Sequence, residues 1–285
     1  MPNFSILSLR RHILSLLQPA LNNEAEAATR ALICDTLHWT LTDLALHQQD
    51  PIPTDTSNHL ISLAQRLARH EPLQYVTGHT DFCGINIHTS PAALIPRPET
   101  EQLVSLLTQW AAKRPNLRIL DIGTGSGCIP AALSHTLTSP SILAIDISPA
   151  ALALARTNTS CPPVTLQQLD ILSATPADLP TFDAIVSNPP YVMLSEQPSI
   201  APNVLNHEPH LALFVPDSDP LIFYRQIATL ALHGTLAPSG QLFLEINEAL
   251  ASQTLNLLQS LHFNPTLHHD YLDKPRFITA SPIPQ

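Results

Sequence analysis

Hydrophobic and polar positions follow three different patterns along the chain, and the first of them is helical. Up to about residue 72, apolar residues recur three and four positions apart, which is typical of amphipathic helices. One such stripe consists of Leu60, Leu63, Ala64 and Leu67. The spacing of Asn23 and Glu26 resembles a capping box, which marks the start of a helix. We therefore predict a helical domain over residues 1–72, with the stripe in its core.

The second pattern is a short alternation of polar and apolar residues between positions 81 and 88. Such alternation predicts the strands of a hairpin. Several prolines follow it, and each proline fixes one backbone angle. We therefore predict that residues 73–98 form a stiff hairpin connector.

From residue 99 onward, short apolar runs alternate with helical patterns, which predicts an α/β domain over residues 99–285. The runs predict a mostly parallel sheet with helices on both faces. The predicted strands are 118–122, 142–146, 164–169, 182–187 and 241–246. A final antiparallel pair is expected over 265–272 and 276–279.

Glycine is concentrated in one turn, which holds three of the seven glycines of the chain. The turn is Gly123-Thr124-Gly125-Ser126-Gly127 and directly follows a predicted strand. Glycine lets a backbone approach a ligand closely, and this spacing without a basic residue favours a nucleoside over a dinucleotide. Asp146 ends the next predicted strand, where a carboxylate can hold a ribose diol. The alternative is that Asp146 caps a helix beginning at residues 148–150.

A second turn, Asn188-Pro189-Pro190-Tyr191, follows the strand predicted at 182–187. The Asn188 side-chain carbonyl and the Pro189 backbone carbonyl can each accept an N–H group of an amide or exocyclic amine. The two prolines hold both acceptors in place, and Tyr191 is expected to lie on the π-face of the substrate. These features predict methylation of a planar nitrogen. The alternative is a turn that only ends a strand.

Charge disfavours nucleic acid as the substrate. The net charge is −10 and the basic residues form no dense cluster, whereas proteins that hold a phosphate backbone show a positive patch. Arg10 and Arg11 interrupt the first apolar segment, which leaves neither a signal-peptide core nor a membrane span. We therefore expect a cytoplasmic protein without membrane partners.

Cysteine and histidine positions predict neither a disulfide framework nor a metal site. The four cysteines, at 34, 83, 128 and 161, are widely scattered and are expected to be reduced. His207 and His210 have metal-ligand spacing, but Pro209 opposes the helix that would bring them together. We expect no bound metal.

Two further segments give the chain a family resemblance. Residues 71–78 read Glu-Pro-Leu-Gln-Tyr-Val-Thr-Gly, and residues 95–101 read Ile-Pro-Arg-Pro-Glu-Thr-Glu. Together with the two turns, they make the chain resemble class I S-adenosylmethionine-dependent methyltransferases. It resembles most the protein-glutamine methyltransferases that act on peptide chain release factors. Relatives specific for a ribosomal protein carry a different pattern after Pro-Arg.

The resemblance implies a Rossmann-like sheet and S-adenosylmethionine as the cofactor. It assigns the cofactor to Gly123, Thr124, Gly125, Ser126, Gly127, Asp146, Asp170, Ile171 and Asn188. It assigns the substrate glutamine to Asn188, Pro189, Pro190 and Tyr191. Asp170 and Ile171 would border the adenine, although the family often has an aromatic residue at the position of Ile171. The substrate implied is the Gly-Gly-Gln loop of class 1 release factors. We expect a monomer in which residues 1–72, together with the hairpin, recognise the release factor.

The resemblance leaves other functions open. They are methylation of an adenine or guanine amine in nucleic acid, methylation of a ribosomal-protein glutamine, and cofactor binding without catalysis. Two local expectations complete the prediction. Thr100 or Glu99 is expected to cap a helix, and Asn247, where the family has glycine, is expected to tolerate a left-handed backbone.

Overall fold

The computed structural model describes residues 4–159 and 164–284, so Cys161 lies outside the described residues. The chain divides into two compact units. The first comprises Met1–His79 and Ala201–His207, and the second comprises Thr80–Ile200 and Glu208–Gln285. The boundaries predicted at residues 72 and 98 stay predictions.

The first unit is helical. Its helices are α1 (Ile6–Leu21), α2 (Ala25–Leu37), α3 (Leu41–Leu46), α4 (Thr54–Leu67) and α5 (Leu73–Thr77), with the short segment Pro202–His207. α1 begins after Ser5, whose hydroxyl accepts from the Ser8 N–H group, and such a cap satisfies a backbone donor. The predicted stripe of α4 is buried together with Leu9, Ile13 and Leu17 of α1, which confirms that it forms part of the core.

The capping box predicted at Asn23 and Glu26 is wrong. A single 3₁₀ turn, Asn22–Glu24, joins α1 to α2, and no side chain caps α2. The backbone N–H group of Ala25 already donates to the Asn22 carbonyl, which leaves that donor satisfied without a cap. The Glu26 carboxylate instead pairs with Arg10.

The second unit is built on strands and helices that alternate. It begins with the hairpin of β1 (His79–Phe82) and β2 (Ile85–His88). The elements that follow are α6 (Pro98–Ala111), β3 (Arg118–Ile122), α7 (Cys128–Thr136), β4 (Ser141–Asp146), α8 (Pro149–Asn158), β5 (Val164–Gln168), β6 (Phe182–Ser187) and β7 (Val192–Met193). After α9 (Pro202–His207), which belongs to the first unit, come β8 (Phe214–Val215), α10 (Ile222–Leu230), β9 (Leu236–Glu245), α11 (Ala251–Ser260), β10 (Phe263–His269) and β11 (Pro275–Pro282).

Seven strands form the central sheet in the order β10-β11-β9-β6-β3-β4-β5. β9, β6, β3, β4 and β5 pair in parallel, and β11 pairs antiparallel with both β9 and β10. One core cluster contains Tyr224 and Ile227 of α10, and the other contains Leu103 and Leu107 of α6. Helices therefore cover two distinct cores of the sheet, and the predicted fold class is confirmed.

The start of α6 differs from the prediction. The helix begins at Pro98, whose fixed backbone angle suits a first helical position, and no side chain caps it. The Thr100 hydroxyl donates to Glu245 instead. None of the helices in the described parts of the chain is both long and apolar enough to cross a membrane.

Candidate active site

The two predicted turns meet at one edge of the sheet. β3 and β6 are parallel neighbours, with Ile122 opposite Ser187, and the Ser187 hydroxyl donates to the Ile122 carbonyl at 2.7 Å. We call residues 123–127 the glycine turn and residues 188–191 the proline turn. Open α/β sheets bind ligands at the carboxyl ends of their strands, and a cavity of about 240 Å³ lies there.

Most of the predicted site residues line this cavity. They are Gly123, Thr124, Gly125, Ser126, Asp146, Asp170, Ile171, Asn188, Pro189 and Pro190. Gly127 and Tyr191 are not among the lining residues. The structure therefore brings together ten of the twelve predicted residues and separates two.

The backbone of the glycine turn depends on glycine. Gly123, Gly125 and Gly127 have φ angles of +73°, +54° and +79°, a region that other residues rarely adopt. A Cβ atom on Gly127 would lie 3.0 Å from the Ala155 Cβ atom of α8. Gly127 therefore serves the packing of the turn on α8, which explains its place outside the cavity. The N–H groups of Gly123 and Thr124 both donate to the Ile145 carbonyl of β4.

Asp146 holds the glycine turn from the neighbouring strand. One carboxylate oxygen accepts from the Gly125 N–H group and the other accepts from the Ser148 N–H group, each at 2.9 Å. The residue that caps α8 is Ser148, whose hydroxyl accepts from Ala151. Asp146 therefore fixes the backbone just before α8 without being the cap of that helix. It also lines the cavity.

Sequence reasoning missed Asp121, although an acidic residue inside the apolar run 118–122 was a signal. Its carboxyl is fully buried at the end of β3, and neither oxygen has a hydrogen-bond partner within the described residues. Burial raises the pKa of Asp121 to about 7; the nearby Thr124 hydroxyl lowers it by less, and the charge of Asp146 raises it further. The Thr124 and Ser126 hydroxyls are also buried without a partner in the described segments. This concentration of polar atoms fits a polar ligand such as S-adenosylmethionine.

The proline turn is held by a buried hydrogen-bond network that the sequence did not reveal. The Asn188 Nδ2 atom donates to the Thr100 hydroxyl at 3.1 Å, and that hydroxyl donates to Glu245 Oε2 at 2.8 Å. The Tyr191 hydroxyl donates to Glu245 Oε1 at 3.0 Å. Burial raises the pKa of Glu245 to about 7. In the sequence, the one sign of this network was an acidic residue near the end of the apolar run 241–246.

Tyr191 does not line the cavity. Its ring packs against the core that contains Tyr224, and burial raises the pKa of its hydroxyl well above the usual range. Asn247 donates to the Tyr191 carbonyl at 3.1 Å. The φ angle of Asn247 is −68°, so this position does not use the left-handed backbone that asparagine was expected to tolerate.

Glu208 shapes another wall of the cavity. Its side chain is 1% exposed; one oxygen accepts from the Ile95 N–H group at 3.1 Å and the other from Arg97 Nη2 at 2.6 Å. Ile95, Arg97 and Pro209 all line the cavity. Glu208 therefore fastens the segment that precedes α6 to the segment that follows α9, a role that the sequence pattern alone did not indicate.

Comparisons with known proteins identify the family of the chain. Residues 8–78 match the family model of the PrmC N-terminal domain, and residues 99–211 match the Methyltransferase small domain. A release factor glutamine methyltransferase from Bacteroides thetaiotaomicron is 39% identical over 262 residues, which cover 90% of this chain and 93% of the relative. Another, from Flavobacterium psychrophilum, is 44% identical over 230 residues, or 76% of this chain and 77% of the relative.

Among solved structures, ribosomal protein L11 methylase from Lactobacillus delbrueckii subsp. bulgaricus aligns with a TM-score of 0.48 and 23% identity, covering 70% of this chain and 86% of that chain. The family assignment depends on the sequence relatives. They confirm the resemblance that the segments at 71–78 and 95–101 indicated. The chain belongs to the family of release factor glutamine methyltransferases.

Proposed function

We propose that the protein transfers a methyl group from S-adenosylmethionine to the side-chain amide nitrogen of a glutamine in the Gly-Gly-Gln loop of a class 1 release factor. One observation carries this proposal. Asn188, Pro189 and Pro190 line the same cavity as the glycine turn. A methyl donor and an amide can therefore lie within reach of each other. The relatives do not favour a nucleic-acid base or a ribosomal-protein glutamine as the acceptor.

The cofactor side of the cavity combines polar atoms with apolar walls. When bound, S-adenosylmethionine supplies a methyl group on a positively charged sulfonium. Thr124, Ser126 and Asp146 offer hydroxyl and carboxylate groups to its polar parts. Asp170 and Ile171 border the cavity where the adenine is expected, and Ile171 gives apolar contact without aromatic stacking.

The substrate side must activate a weak nucleophile. The lone pair of an amide nitrogen is delocalised, so the nitrogen attacks a methyl group well only when it is held and aimed. The Asn188 side-chain carbonyl and the Pro189 backbone carbonyl each accept one N–H bond of the glutamine. Two successive prolines keep these acceptors in place, and the rate comes chiefly from positioning. The amide proton becomes acidic as the nitrogen gains a methyl group and leaves to water.

Mass spectrometry of a class 1 release factor incubated with the protein and S-adenosylmethionine tests the proposal. We expect one added methyl group on the loop glutamine. A release factor with alanine in place of that glutamine is the matched control and should gain none. Methylation of the control, or of co-incubated RNA or DNA in place of the release factor, would contradict the proposed substrate.

We further propose that residues 1–72 recognise the body of the release factor. A single glutamine offers little contact, whereas selection of a protein partner uses an interface of about 800 Å² on each side. The α3 helix exposes Leu41 (63%) and Leu46 (74%). In the full chain, Leu41→Ser with Leu46→Ser should raise KM for the release factor. The control Leu272→Ser alters an exposed apolar residue of the second unit; if only the control raises KM, recognition lies elsewhere.

We also propose that the protein acts as a cytoplasmic monomer without binding nucleic acid. The net charge of −10 supports the last point, since nucleic-acid binding depends on positive charge. Light scattering of the purified protein tests the monomer, and a labelled-RNA binding assay at low salt tests the absence of binding.

A further inference from the structure

The Asn188 carboxamide has an oxygen and a nitrogen at the ends of a nearly symmetrical group. The oxygen accepts hydrogen bonds, whereas the nitrogen donates them. A half-turn of the amide exchanges the two ends with little change in shape. In the proposed reaction, only the oxygen can accept an N–H group of the substrate. The site therefore needs a device that decides which end faces the cavity.

The buried network around Asn188 has the properties of such a device. Above about pH 7 the Glu245 carboxyl is mainly ionised. An ionised carboxylate accepts but does not donate hydrogen bonds, so Glu245 then takes the single O–H group of Thr100, at 2.8 Å. Only lone pairs of the Thr100 oxygen then remain. The atom of Asn188 that lies 3.1 Å from them must therefore be the donor, Nδ2. Its oxygen is left for the cavity.

The same carboxylate also holds the other end of the proline turn. Glu245 Oε1 accepts from the Tyr191 hydroxyl at 3.0 Å. Glu245 is 1% exposed and Thr100 is 3% exposed, so water has little access to compete for these bonds. Buried polar groups keep their partners because an unmade hydrogen bond there is costly. One carboxylate thus fixes both ends of residues 188–191.

We propose that Thr100 and Glu245 are positioning residues that hold the Asn188 oxygen towards the substrate nitrogen. Thr100 lines the cavity and Glu245 does not, but both are assigned to act on the substrate through Asn188. The inference rests on the proposed function, since it assigns the Asn188 oxygen to a substrate N–H group. It adds two residues from distant parts of the chain, α6 and the end of β9, to the residues that determine the rate.

Thr100→Val tests this because valine keeps the shape and removes the hydroxyl. We expect kcat to fall by about ten- to a hundredfold, while S-adenosylmethionine affinity stays within about twofold. Thr100→Ser, which restores a hydroxyl, should recover most of the activity. The matched control is Thr108→Val on the same helix, because the buried Thr108 hydroxyl has no partner within the part of the chain described. It should leave kcat unchanged.

A double-mutant cycle separates positioning from general support of the fold. If Thr100 acts through Asn188, Thr100→Val should cost at most about twofold in a protein that already carries Asn188→Ala. Equal losses in both backgrounds would overturn the proposal. A Thr100→Val enzyme as active as the parent would overturn it as well.

The NMR signal of the Asn188 side-chain NH₂ group, identified by its loss in Asn188→Ala, reports the orientation without any methyl transfer. We expect its protons to exchange slowly with solvent in the parent and in Thr108→Val, and at least about tenfold faster in Thr100→Val. Fast exchange in the parent would overturn the orientation. A parent that shows slow exchange but methylates no release factor would instead contradict the proposed function.

Discussion

The glycine turn and the proline turn each lie beside one buried carboxyl group, and burial raises the pKa of both groups to about 7. The two groups differ in their partners. Asp121, beside the glycine turn, has no hydrogen-bond partner among the described residues, although the nearby Thr124 hydroxyl lowers its pKa. Glu245, beneath the proline turn, accepts from Thr100 and Tyr191. The two buried carboxyls therefore differ in whether nearby side chains donate hydrogen bonds to them.

This difference separates the tasks of the two turns. The proline turn is held by side chains, through Asn188 and Tyr191, which suits acceptors that must stay fixed during a reaction. The glycine turn is held through its own backbone N–H groups, which donate to the Ile145 carbonyl and to the Asp146 carboxylate, and its hydroxyls at Thr124 and Ser126 have no partner in the described chain. Changes in the proline turn should therefore alter kcat, and changes in the glycine turn should alter cofactor affinity or stability.

The largest effect expected from this comparison is on stability and its pH dependence. Asp ionises near about pH 3.9 in an unfolded chain, so between about pH 4 and pH 7 the folded protein keeps a proton that the unfolded chain has lost. The Asp121 contribution to stability therefore falls by about 1.4 kcal/mol per pH unit in that window and is constant above it. Asp121→Asn, which cannot ionise, should stabilise the protein at pH 8 by up to about 4 kcal/mol.

Glu245→Gln is the matched substitution at the proline turn. It also removes an ionisable group, but it leaves two hydroxyl donors with a poorer acceptor. Glu245→Gln should therefore raise the free energy of unfolding at pH 8 by about 1–3 kcal/mol less than Asp121→Asn does. Urea unfolding at pH 5 and pH 8 measures both variants. Equal gains would show that the partners of Glu245 contribute nothing to stability.

The next effect is on the rate. Asn188→Ala removes one fixed acceptor, and loss of a preorganised hydrogen bond of this kind costs about 3 kcal/mol in the transition state. We expect kcat for release-factor methylation to fall at least about a hundredfold, with S-adenosylmethionine affinity nearly unchanged by calorimetry. Transfer within about threefold of the parent would remove Asn188 from the reaction.

Local sequence patterns were sufficient for the fold and for the backbone of both turns. The apolar runs at 118–122 and 182–187 match β3 and β6, because buried parallel strands need continuous apolar residues. The network of Thr100 and Glu245 was not predictable in this way, since its members lie 145 positions apart. Residue type also did not give the direction of the Tyr191 side chain, which is set by packing and by Glu245.

A smaller effect separates two glycines of the same turn. Gly123 and Gly127 both have positive φ angles, so alanine at either position should cost about 1–2 kcal/mol from backbone strain. Only Gly127 would also bring a Cβ atom to within 3.0 Å of Ala155, whereas Gly123 has nothing within 4 Å. Gly127→Ala should therefore be about 2 kcal/mol less stable than Gly123→Ala. Equal midpoints in urea unfolding would contradict a packing role for Gly127.

The smallest effect concerns Asp146, which connects the glycine turn with β4. Asp146→Ala removes the acceptor of the Gly125 N–H group and the proposed partner of the ribose, where a charge-assisted bond contributes about 1.5–3 kcal/mol. S-adenosylmethionine affinity should fall at least about tenfold by calorimetry, while release-factor binding persists. Ser148→Ala removes the cap of α8 and keeps the carboxylate, so it should lose stability but little affinity. If both variants lose affinity equally, Asp146 acts only through the start of α8, and the glycine turn needs no carboxylate to bind its ligand.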